Sequence, residues 1–199
     1  MQKTRQTLTR AELETPRVTT CSFYPYSLNE NGEVVLLLRN KKDSKNAPYY
    51  VDFGSTYREN DGNIVYTAVR SYLNKTAGLC LASELETLAS PPVLDKKLKD
   101  FTAKQSNEYE WIHGKKQQEM LHTFFYHTSH MVIELVDSHA AFFYPLPYFK
   151  LESLNKALVE SERFSDLSLH WISLKLMGEV EFTRKYITAF DLQLIQQSA

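Results

Sequence analysis

The chain has 199 residues, 43% hydrophobic and 24% charged, with acids and bases nearly balanced at a formal net charge of -1. That balance excludes a disordered or fibrous chain and removes any global attraction to nucleic acid or anionic membrane, leaving one domain long enough to bury a core. The two cysteines, Cys21 and Cys80, lack metal-type spacing and are read as buried, reduced thiols. No run approaches the roughly 18 apolar residues of a spanning helix, and the basic start "MQKTRQTLTRAELETPR" has no apolar h-region behind it. The expectation is an intracellular protein, in the cytoplasm, without a membrane partner.

In chain order, residues 1–17 read as a polar N-terminal arm or short helix, and residues 18–199 as the domain. "VTTCSFYPY" is rich in β-formers. Asn31-Gly32 is a turn signal ahead of the apolar run Val34 to Leu38, which predicts strand, hairpin turn, strand. "KKDSKNAP" reads as a polar loop, and "YYVDF" as a short strand ending at Gly54.

From Ile64 the period changes. Ile64, Ala68, Tyr72 and Thr76 form one row at four-residue spacing, and Val65, Val69, Leu73 and Ala77 the next, which predicts an amphipathic helix. Asn63 suits its N-cap and Gly78 a left-handed terminator.

Beyond it, "LCLASELETLASPPV" reads as a strand and a Pro-Pro break, followed by the charged stretch "LDKKLKDFTAKQSNEYEW". "MLHTFFYHTSHMVIEL" predicts a strand or strand pair. "FKLESLNKALVESERF" predicts a helix, "LSLHWISLKLM" a strand and "EVEFTRKYITAFDLQLIQQ" a closing helix. This order predicts an α/β or α+β domain with helices packed on a sheet.

Residues 52–79, "DFGSTYRENDGNIVYTAVRSYLNKTAGL", resemble the loop and helix of the Nudix superfamily, whose signature is Gx5Ex7REUxEExGU with U hydrophobic. Gly78 and Leu79 match its end, and Leu73 matches the hydrophobic place after Arg-Glu. Counting back, Ser71 stands at the arginine, Tyr72 at the first helix glutamate, Lys75 and Thr76 at the Glu-Glu pair, and Asn63 at the earlier glutamate. Gly54 stands for the opening glycine if the loop carries two or three extra residues. "GEVVLLLRNKK", "YYVDFG" and "LHWISLKLM" resemble the flanking family segments in order. The resemblance implies a Nudix-like α/β/α sandwich, its mixed sheet covered by the box helix and C-terminal helices.

In that family the box glutamates hold divalent cations against a diphosphate. Hard cations need oxygen ligands, so lysine and threonine in place of the pair imply loss of classical metal-dependent hydrolysis, with no metal or other cofactor expected. One expectation is a phosphate- or nucleotide-binding relic, with Arg58, Arg70 and Lys75 supplying charge and Asn63, Tyr72 and Thr76 beside them. Solvated charges on a polar helix face are the alternative for the cations.

A second expectation is an unorthodox hydrolase of a nucleoside-diphosphate-linked substrate, using Mg²⁺ or Mn²⁺ and relocated carboxylates. Its candidates are Glu59 and Asp61, with Glu108, Glu110 and Glu119 further on. Loop acids in "RENDG" also serve as turn and capping residues. A third is an interaction protein with a protein or RNA partner, or a homodimer. Its candidate surface is "AAFFYPLPYF", which is otherwise a buried crossover. His122 and His130, on one face of a regular strand, would stand about 26 Å apart, too far for one metal, and His127 would point the other way.

Overall fold

The computed structural model describes residues 18–42, 48–76, 132–136, 138–160 and 168–176. The elements are β1 (Thr20–Leu28), β2 (Val34–Lys42), β3 (Pro48–Val51), β4 (Ser55–Thr56), α1 (Ile64–Lys75), β5 (Val132–Val136), β6 (His139–Pro145), α2 (Glu152–Glu160) and β7 (Ser168–Ser173). Single 3₁₀ turns occupy Glu59–Asp61 and Leu174–Leu176. The architecture is mixed α/β.

The hairpin forms where Asn31-Gly32 predicts it. Asn29 Oδ1 accepts from the Asn31 and Glu33 amides, each at 2.9 Å, and Gly32 supplies the positive φ of 72° that closes the turn. β1 and β2 then pair antiparallel with Tyr26 opposite Leu36 and Leu28 opposite Val34.

β6 pairs parallel to β1 from Thr20 opposite His139 to Tyr26 opposite Pro145, and β5 pairs antiparallel to β6, so the sheet is mixed. Its path runs β3-β2-β1-β6-β5, with β7 beside β2 and β4 beside β1. β7 takes one edge of β2, from Val35 opposite Ser173 to Asn40 opposite Ser168. Along the other edge β2 meets first β1 and then β3, the latter from Arg39 opposite Val51 onward.

β1 and β2 therefore splay apart, and residues 52–56 fill the gap: the Phe53 amide donates to Phe23 O at 3.2 Å, and β4 then pairs with Thr20 and Cys21. Pro25, which has no N–H to give, points its nitrogen toward this opening rather than toward β6, because its neighbours Phe23 and Ser27 bond on that side.

Both faces of β1 are buried, which explains a strand without apolar-polar alternation. On one face Phe23 stacks with Tyr144 at 5.8 Å and meets Tyr72 of α1 at 4.8 Å. On the other, Tyr24, Tyr26, Leu36, Leu38, Ala141, Phe143 and Leu174 pack together. α1 has its predicted start, with Asn63 Oδ1 accepting from the Tyr66 amide at 3.0 Å, and it buries Val65, Ala68, Val69 and Tyr72 completely.

Three expectations change. "AAFFYPLPYF" is not a crossover: Ala140 to Pro145 belong to β6, with Phe142 and Phe143 fully buried between neighbours, and the chain leaves the sheet at Pro145. Pro147 and Tyr148 beyond it are exposed. The strand "YYVDF" stops at Val51, because Asp52 starts a turn. Of the predicted polar loop, Lys41 and Lys42 belong to β2 and Pro48 opens β3. The N-terminal arm, the terminator Gly78, Cys80, the strand after it and the closing helix lie outside the described residues.

Candidate functional site in the loop and helix from Asp52 to Thr76

Asp52 turns the chain out of β3 by accepting the Gly54 amide on Oδ1 at 2.9 Å. Its carbonyl receives Nε and Nη2 of Arg39 at 3.3 and 3.2 Å, and the Arg39 guanidinium lies 5.8 Å from the centre of the Phe53 ring. Gly54 is then pressed onto β1. A Cβ built there would fall 2.0 Å from Cys21 O and 2.7 Å from Ser22 Cα, so only glycine fits.

Gly54 O faces α1, where it accepts the Ser71 hydroxyl at 3.0 Å and the Lys75 ammonium. Those side chains are four residues apart and so share one face of the helix. Thr67 and Arg70, three apart on an adjoining face, converge on Asp61 instead. Arg70 Nε reaches Oδ1 at 2.5 Å and Nη2 reaches Oδ2 at 2.7 Å, while the Thr67 hydroxyl and the Arg58 amide donate to Oδ2 at 2.8 and 3.1 Å. Asp61 is 4% exposed and Arg70 3%.

Burial pushes the Asp61 carboxyl pKa upward, but the hydrogen bonds from Arg70 and Thr67, the Arg70 charge and the Arg58 amide outweigh it, so the net shift is downward. The carboxylate is thus held ionised. It is a weak base.

The other predicted site residues have varied placements. Asn63 caps α1. Tyr72 is fully buried, with Phe53 edge-on to it at 5.1 Å. Thr76, also fully buried, donates its hydroxyl at 2.8 Å to Tyr72 O, the carbonyl that its own amide reaches at 3.0 Å. Arg58 and Glu59 are exposed and Lys75 is half-buried. The structure therefore brings Asp61 to Arg70 and Lys75 to Gly54, and directs Asn63, Tyr72 and Thr76 into the helix and core.

Asp52 was not singled out by sequence as a site residue. Asp52 is 9% exposed, and its buried Oδ2 has no hydrogen-bond partner among the described residues. An aspartate two places before a glycine is a turn signal, and its placement in a predicted strand hid it. Cys21 lies beneath the same loop, its thiol pushed up to about 12 by burial first and by the Asp52 charge in addition, against the lowering effects of the Ser55 backbone, Lys75 and Arg70.

Among the described residues no three His, Cys, Asp or Glu side chains stand close enough to hold a metal ion. Glu108, Glu110, Glu119, His122, His127 and His130 lie outside the described residues. No protein-family model matches the chain, and neither a curated protein nor a solved structure matches it.

Proposed function

We propose that this chain is a Nudix-like α/β/α protein that binds a nucleotide-type or other phosphorylated ligand beside α1 without classical metal-dependent hydrolysis. The observation that carries this reading is Lys75, which stands where the signature has a carboxylate and sets its ammonium on the carbonyl of Gly54. A carboxylate at that place would draw a divalent cation to the carbonyl. A lysine repels one and supplies the positive charge itself, as a point-charge partner for phosphate.

Arg58, exposed at the start of the 3₁₀ turn, adds a second cation in the same loop. Arg70 contributes differently: it neutralises Asp61 and fixes the loop against the helix. Asp61, with four donors on its two oxygens, is a poor candidate for a general base.

Thermal denaturation with a panel of nucleoside mono- and diphosphates, in chelator and then with Mg²⁺ or Mn²⁺, tests the reading. Stabilisation without metal, lost in Lys75→Ala and weakened in Arg58→Ala, is the expected outcome. Metal-dependent turnover abolished by Glu59→Gln would replace it with the hydrolase reading. No shift with any nucleotide would leave a protein or RNA partner as the reading to pursue.

A further inference from the structure

Two glycines of the chain follow a residue whose side chain can close a five-membered ring on the next backbone nitrogen: Gly32 after Asn31 and Gly62 after Asp61. A glycine has no side chain to shield that nitrogen. A Cβ added at either position would meet no atom within 4 Å, so both glycines border open space. The two pairs differ in the residue that comes first.

Asp61 is held in place. Its carboxylate is 4% exposed and takes four donors on its two oxygens, so Cγ cannot turn toward Gly62 N without breaking the fork to Arg70. Held ionised, it also resists a nucleophile. Asn31 is exposed at the tip of the β1–β2 turn, and among the described residues no hydrogen bond holds its carboxamide. The turn is made by other groups: the amides of Asn31 and Glu33 go to Asn29 Oδ1, and Gly32 N donates to Asn29 O at 2.9 Å. A single bond at an exposed loop tip opens in local fluctuations, which releases the Gly32 nitrogen.

We propose that Asn31 is a site of spontaneous modification by the chain itself and water, permitted by the fold there and denied at Asp61. The Gly32 nitrogen, its proton lost to solvent, attacks Asn31 Cγ. A new C–N bond forms, the bond from Cγ to the side-chain nitrogen breaks, and ammonia leaves a cyclic imide. Water then opens the imide at Cγ to give aspartate, or at the main-chain carbonyl to give isoaspartate, with no oxidant or cofactor involved. Either product adds a negative charge close to Glu30 and Glu33. Isoaspartate also adds a methylene to the main chain of a turn that Asn29 O and Gly32 N close.

Ageing the full chain at mildly alkaline pH, native and in guanidinium chloride, tests this by peptide mass mapping after digestion in acid, where the imide does not form. In the native protein the peptide holding Asn31 is expected to exchange its amide for a carboxyl. That product should be lost in Asn31→Gln, whose longer side chain would have to close a six-membered ring. A second series at mildly acidic pH, where an unfolded aspartate is partly protonated and open to attack, follows Asp61 by enzymatic methylation of isoaspartate. Isoaspartate is expected there only in the unfolded chain. An Asn31 that stays intact in the native protein overturns the proposal, as does an Asp61 that isomerises as fast folded as unfolded.

Discussion

Arg70 and Asp61 form a buried two-bond fork, Nε to Oδ1 at 2.5 Å and Nη2 to Oδ2 at 2.7 Å, that ties the loop before α1 to the middle of the helix. Each ion makes the burial of the other tolerable, so removing one partner strands a charge in the interior. Arg70→Ala is expected to cost about 3–5 kcal/mol at neutral pH.

The same pair sets a pH dependence. Because the folded-state pKa of Asp61 lies below its ordinary 3.8, its contribution is complete above that value and is lost as pH falls through the folded one. In Arg70→Ala the lowering by the arginine is removed, so the carboxyl pKa rises relative to wild type. The stability gap between wild type and variant, measured by urea denaturation from neutral pH downward, should therefore narrow in acid.

Gly54 and Gly32 resist substitution for different reasons. Gly54→Ala drives a methyl group into the backbone of Cys21 and Ser22, which cannot give without breaking the pairing of β1 with β4, and should cost at least about 2 kcal/mol. Gly32→Ala meets open space and bears the strain of a positive φ alone, about 1–2 kcal/mol. Gly32→Asn should recover most of the latter, while asparagine at position 54 should be worse than alanine. Denaturation midpoints of the four variants check the ordering.

Cys21 should be inert in the folded protein. In a Cys80→Ser background, alkylation at mildly alkaline pH is expected to follow global unfolding, because burial both shields the thiol and raises its pKa to about 12. Labelling as fast as a free thiol under native conditions would mean that the loop over Cys21 opens by itself.

The sequence by itself determined the elements whose signals are local. The Asn31-Gly32 turn, the Asn63 cap, the two-row stripe of α1, the leucines of α2 and the strand around Trp171 each depend on neighbours within a few residues, and each lies where periodicity and turn chemistry place it. The strand at Ala140 was misread because a continuous aromatic run has the same composition whether it crosses beneath helices or pairs between strands. Its parallel partner β1 lies more than a hundred residues away in the chain.

Only the tertiary structure decided what the charges do. Arg58 and Arg70 are equivalent in a sequence, as are Glu59 and Asp61. Folding buries Arg70 and Asp61 against each other and leaves the other two in water. Burial and partner choice are set by how α1 lies on the loop, and no local pattern encodes that distance. The same contact puts Lys75 on the carbonyl of Gly54, where the candidate site takes its charge from the chain itself.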